Sequence, residues 1–317
     1  MQLNAITRKS ALMAILLLIV TLVAVVLRYW FAPFEVELAE NPFRERGISI
    51  ALAAIVFFCC GLVEGKILPC SGLSKGYSTL PIPLYGMLAC GVFVASNTLA
   101  TATASLCFAV ALYLLIRSLH NVGEKDSLFF ASLLLGTMVL LSPPCVILAL
   151  VIPIAILLFT LTPRQALLMV VGYLIPLFGA SYVMWYRGDD FLEFGRNLCG
   201  HLLSTQAVEV EHLPYLSFAI VTFIAALLIC GAVYAVVRPD KMFLLARVRR
   251  SLHFFVWVSL LTLAILWIPA CNLSVCAIVA VPVTILLSFV LGILPNNSST
   301  IAYWILLALF AIHLFVA

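Results

Sequence analysis

Apolar runs of near-span length recur from one end of this chain to the other. They fall at roughly 11–27, 48–63, 80–95, 99–116, 127–141, 145–161, 166–185, 215–237, 252–268, 275–294 and 299–316, with short polar breaks between them. A helix needs about 20 apolar residues to cross the hydrocarbon of a bilayer. Several runs are shorter than that, but their number leaves little else for the chain to build. Only 9% of the residues are charged and 65% are hydrophobic. A soluble domain carries about a quarter charged residues, so water cannot be the main solvent of this surface. The expected fold is all-α: a polytopic transmembrane helical bundle of about eleven spans, forming one integral membrane domain over residues 1–317 in the cell inner membrane.

The basic residues orient the bundle. With the N-terminus in the cytosol, the inner segments hold Arg8, Lys9, Lys66, Lys75, Arg117, Lys125, Arg164, Arg238, Lys241, Arg247, Arg249 and Arg250. The outer segments hold only Arg28, Arg44, Arg46, Arg187 and Arg196. Excess Lys and Arg marks cytosolic loops. An odd number of spans then carries the C-terminus outside. The N-terminal run follows Arg8 and Lys9 as a signal peptide would. It lacks a small-residue cleavage site and ends at Arg28-Tyr29-Trp30, an interface anchor, so it reads as a retained first span. The pair of runs over 127–161 breaks at Ser142-Pro143-Pro144 and reads either as two spans or as a re-entrant hairpin. Both return the chain to the same side.

Chemistry is sparse. On this reading no Asp, Glu, Lys or Arg lies in the middle of a span, which argues against a proton-coupled pump. His313, inside the last run, reads as a packed neutral side chain. Most of the ten cysteines sit in apolar runs as small hydrophobes. Cys271 and Cys276, which flank a polar break, can bridge, but packing is the preferred account. The hydroxyl-rich stretch from Ser96 through Thr98, Thr101, Thr103 and Ser105 suits close helix packing.

Three loops hold most of the charge. The first, after span one, contains Glu35, Glu37, Glu40, Arg44, Glu45 and Arg46, with apolar residues between them. It reads as a solvated surface loop. In a functional reading, Glu35 and Glu37 form a carboxylate pair, one of them a general base, and Arg44 or Arg46 grips a phosphate bidentately. The loop 186–214 holds Arg187, Asp189, Asp190, Glu193, Arg196, His201, Glu209, Glu211 and His212. It lacks tight metal-ligand spacing and reads as an amphipathic surface segment. The basic loop Arg238–Arg250 alternates charge with apolar residues, as in a short helix on the inner leaflet. Its Arg247, Arg249 and Arg250 meet anionic lipid headgroups or serve as topological anchors. No cofactor, metal or nucleic-acid partner is expected.

The order of these features resembles the GT-C superfamily of membrane glycosyltransferases, which place an acidic catalytic loop outside, directly after span one, and a second outer loop after span seven. Here the loops 28–47 and 186–214 hold those places, so residues 1–214 resemble the seven-span block and 215–317 are additional spans. The stretch Leu115–Tyr186 also resembles an uncharacterised family of small bacterial integral membrane proteins. The GT-C resemblance implies a polyprenyl-phosphate-linked sugar substrate and inversion at the sugar. Glu35 or Glu37 would be the base. Arg44 or Arg46, with Arg187 and Asp189 of the second loop, would hold the substrate. The first loop is shorter than the family's and holds no aspartate, so a degenerate relative is also implied. The competing expectation is a non-enzymatic membrane subunit, which scaffolds an envelope complex with protein partners or passes a lipid or neutral solute.

Overall fold

The computed structural model describes residues 46–74, 80–92, 99–120, 126–203, 220, 222–231, 246–265 and 276–316. All regular structure among them is helical, and each apolar run from 48–63 onward contains a helix. In chain order these are α1 Arg46–Ser71, α2 Pro81–Gly86 continued as a π-helix over Met87–Val92, α3 Leu99–His120, α4 Asp126–Leu141, α5 Pro143–Phe159, α6 Pro163–Tyr186, α7 Glu193–Leu203, α8 Thr222–Gly231, α9 Ala246–Ile265, α10 Cys276–Ile293 and α11 Asn296–Val316. Four of them contain stretches long and apolar enough to cross a membrane: Leu52–Ser71, Leu99–Leu119, Pro163–Tyr186 and Val248–Ile265. The run 11–27 lies outside the described residues.

α1 corrects one boundary. The sequence reading ended this run at 63 and gave Glu64 and Lys66 to a loop. The helix instead continues through both charges to Ser71. It stops where the backbone turns left-handed at Gly72, φ +77°, a conformation that costs glycine nothing. There the Gly72 and Ser74 amides donate to the carbonyls of Pro69 and Leu68.

α2 is two six-residue pieces, at most about 18 Å of helix. Every side chain from Pro81 to Ala89 is buried. It packs against α1, α10 and α11. A helix this short survives at membrane depth only where protein surrounds it. α10 is enclosed along most of its length: Ala277 to Leu291 are buried except for the half-buried Val283. It touches α1, α2, α3, α9 and α11.

α4 and α6 form the tightest pair, and glycine is the reason. A Cβ added at Gly136 would lie 2.3 Å from the Tyr173 carbonyl oxygen. One added at Gly172 would lie 2.2 Å from Ser132 Oγ and 2.8 Å from the Phe129 carbonyl oxygen. Phe129 and Ser132 thus meet Gly172, while Gly136 meets Tyr173 and Pro176, so the two helices run in the same direction. The chain between them must return. It does so through α5, a 3-10 stretch Pro143–Leu150 followed by α-helix Val151–Phe159. The steeper 3-10 rise lets these residues reach about 30 Å, the thickness of the hydrocarbon layer. Pro143 and Pro144 therefore open a helix directly after Ser142.

α6 starts at a capping box between Thr162 and Gln165, with Pro163 in the first turn. Only 17% of its apolar window is buried, against 44–56% for the other three. Its outward residues include Leu167, Leu174, Phe178, Tyr182, Trp185 and Tyr186. That is a rim helix whose outward surface is apolar, and the aromatics at its end are of the kind found at membrane interfaces.

Candidate functional site

Cys60, Glu64, Ile67 and Ser71 are three or four residues apart on α1, so they share one face. All four are fully buried. Cys60 Sγ donates to the Ser105 carbonyl of α3 at 3.6 Å, and Ser71 Oγ turns back to the Leu68 carbonyl at 2.8 Å. Glu64 Oε2 accepts a hydrogen bond from Thr284 Oγ1 of α10. Thr284 Oγ1 also lies 2.9 Å from the Val281 carbonyl oxygen one turn back. Val281, Thr284 and Ser288 form the matching face of α10, and all three are buried.

Glu64 sits well inside the apolar window of α1, about 10 Å from its Ser71 end. Among the described residues its only polar contact is Thr284, and its Oε1 has no hydrogen-bond partner. Ser288 Oγ, one turn beyond Thr284, is likewise without a partner among the described residues. Burying a polar group without a partner costs free energy. Ionisable side chains at membrane depth are costly and rare, and they mark functional sites. Lys66 is exposed, and its long stem suits reaching toward headgroups from near the end of the helix. The expectation of spans free of acidic residues is therefore overturned. A hydropathy window ends at Glu64 and Lys66, because it scores charge and not the far wall. The signals for the longer helix were Gly72 as its stop and the shared face of Cys60, Glu64, Ile67 and Ser71.

The residues expected from the loops are elsewhere. Glu35, Glu37 and Arg44 lie outside the described residues, and so does Cys271. Arg46 is the first residue of α1 rather than part of a loop. Arg187 caps α6, its amide donating to the Val183 and Met184 carbonyls, and Asp189 follows in the turn. Both side chains are exposed. The ion pair of this loop joins Arg196 to Asp190 at 3.3 Å, between exposed side chains, where such pairs are worth little. Residues 193–203 form α7, whose Leu198 packs on the core while Gly195, Arg196, Asn197, Cys199 and Gly200 are exposed. Phe191 stacks on Phe178 at 6.5 Å and folds the turn onto α6. Arg247, Arg249 and Arg250 are not on a separate in-plane helix: they belong to α9, continuous with the following apolar run, and Arg249 and Arg250 are exposed. Among the described residues no group of His, Cys, Asp and Glu can hold a metal ion. The hydroxyls of Thr103 and Ser105 bond to their own helix, as close packing of α3 requires.

Fold and site together define an all-helical protein with helices of membrane-crossing length and a carboxyl group buried between two of them. Compared with protein-family models, with curated proteins and with solved structures, the chain matches none.

Proposed function

We propose that this chain is a multi-pass carrier of the cell inner membrane, with about eleven spans, its N-terminus cytosolic and its C-terminus outside, which passes a small solute or a lipid. The observation that carries the reading is Glu64, enclosed within the apolar window of α1 with one oxygen on Thr284 and the other without a partner among the described residues. A group retained at such cost is expected where substrate or a coupling ion binds. The short buried α2, packed against both α1 and α10, supports it. Broken or truncated helices at the membrane midplane are how carriers expose backbone and side chains to cargo.

A second reading is the polyprenyl-phosphate sugar transferase or its inactive relative, with Glu35 or Glu37 as base. It is supported by the shelf at the end of α6, where Tyr182, Trp185 and Tyr186 precede the exposed Arg187 and Asp189 and the amphipathic α7.

One experiment separates the two. Glu64→Gln and the pair Glu35→Gln, Glu37→Gln are each returned to a strain lacking the gene, with protein levels checked. The carrier reading expects Glu64→Gln to fail and the loop variants to restore the deletion phenotype. Restoration by Glu64→Gln with failure of the loop variants transfers the conclusion to the transferase. Topology is checked separately. In a background without native cysteines, a membrane-impermeant thiol reagent should label a cysteine at position 40 or 193 in intact cells and spare one at 75 or 247. Labelling at 75 or 247 reverses the orientation.

A further inference from the structure

The hydrogen bonds around Thr284 do not fit one protonation state alone. A threonine hydroxyl has a single proton to donate, yet Thr284 Oγ1 faces two acceptors, Glu64 Oε2 and the Val281 carbonyl. Two arrangements satisfy the contacts. With Glu64 ionised, Thr284 donates to the carboxylate and releases the Val281 carbonyl, which keeps its place in the helix ladder. With Glu64 neutral, the carboxyl donates to Thr284 Oγ1, and Thr284 turns its own O–H to donate a hydrogen bond to the Val281 carbonyl. The change between them takes one proton and the rotation of one hydroxyl, with no movement of backbone.

The surroundings fit a proton better than a metal cation. Hard cations gather about six or more oxygen ligands. Here the described side-chain oxygens nearest the carboxyl on the facing surfaces are the Thr284 hydroxyl and, one turn on, the unpartnered Ser288 hydroxyl; Ser71 and Cys60, on the same face of α1, are turned to the Leu68 and Ser105 carbonyls. Other titratable groups lie on the elements packed against α1. On α2 there is Tyr85, its ring against Phe57 at 6.3 Å. On α3 there are Cys107 and Tyr113, both half-buried, and the exposed Arg117. On α9 the exposed Arg249, Arg250 and His253 remain. α10 offers Glu64 hydroxyls and no titratable side chain among its described ones. On α1 itself are Cys59, Cys60, the exposed Lys66 and Cys70. None of these is hydrogen-bonded to Glu64.

We propose that Glu64 is a reversible proton-binding site, its carboxyl hydrogen-bonded through Thr284 to the Val281 carbonyl, and that it makes the carrier proton-coupled. The inference rests on the carrier reading. The test uses purified full-length protein in lipid nanodiscs and the proton as the probe. Infrared difference spectra across a pH titration should contain the carbonyl band of a protonated carboxyl, lost at alkaline pH and missing from Glu64→Gln. The hydrophobic carbodiimide dicyclohexylcarbodiimide should modify the Glu64 peptide, read by mass spectrometry, and the modification should fall as that band falls. Thr284→Val keeps the carboxyl and should shift the titration midpoint. It serves also if Glu64→Gln does not fold. A pH-independent spectrum, or an unshifted midpoint in Thr284→Val, overturns the proposal. Protection of Glu64 by sodium at constant pH overturns it in favour of a metal cation. A silent carboxyl together with a Glu64→Gln that fails to complement removes the proton site and leaves the carrier. A titrating Glu64 in a chain whose Glu64→Gln complements fully supports the proton site and removes the carrier.

Discussion

Gly136→Ala should lower the stability of the purified protein by about 3 kcal/mol, at the upper end for overpacking a well-packed interior. The new Cβ would meet the Tyr173 carbonyl oxygen at 2.3 Å and Pro176 Cγ at 3.1 Å. The first of these is backbone and cannot swing aside, so α6 would have to move away from α4. That movement would open the Gly172 contact with Phe129 and Ser132 on the same interface. α6 has little else to hold it, since so little of it is buried. Gly179, on the same helix, is the control. A Cβ there has nothing within 4 Å, so Gly179→Ala should be neutral or slightly stabilising, because alanine favours a helix over glycine. Unfolding in detergent, followed by near-UV circular dichroism, measures both. Equal stability of Gly136→Ala and Gly179→Ala would refute the close packing of α4 on α6.

Glycine contacts of this kind mark the border between what can and cannot be read from sequence. That the chain is helical and apolar enough to span a membrane followed from the runs themselves, because a bilayer fixes the length and composition a span must have. The 3-10 start of α5 was hidden behind Pro143 and Pro144, which signal a break in a helix and also favour its first turn. The segment after α6 was read as an amphipathic surface stretch because its charged residues lack metal-ligand spacing, and α7 lies within it. The end of α1 was not, because Glu64 and Lys66 lower any local hydropathy average. Only a partner makes a buried glutamate tenable, and that partner, Thr284, is 220 residues away. Local pattern cannot report such a pairing. The loop carboxylates attracted notice for the opposite reason: exposed charge in a cluster is visible in a sequence whatever it does. Glu64 looked like the edge of a span and belongs to the packed surface between α1, α3 and α10.

Thr284→Val should destabilise the protein by about 1–3 kcal/mol, the cost of stranding a buried polar group, and a second substitution, Glu64→Leu, should remove most of that loss. Valine has nearly the shape of threonine, so packing on α10 is kept and only the hydroxyl is lost. Glu64 then has neither oxygen hydrogen-bonded among the described residues, in a fully buried site. Leucine at position 64 needs no partner, and an apolar pair of similar shape is often as stable as the polar pair it replaces. The coupling between the two positions, measured as a double-mutant cycle, should therefore be at least about 1 kcal/mol. Thermal unfolding of the four proteins in one detergent gives it directly. Additive losses would mean that Glu64 does not depend on Thr284. The doubly apolar protein also separates stability from role. If the Glu64–Thr284 bond were only a clamp between α1 and α10, that protein would fold and complement a deletion. Under the carrier reading it folds and fails, because what is missing is the carboxyl group and not the contact between the helices.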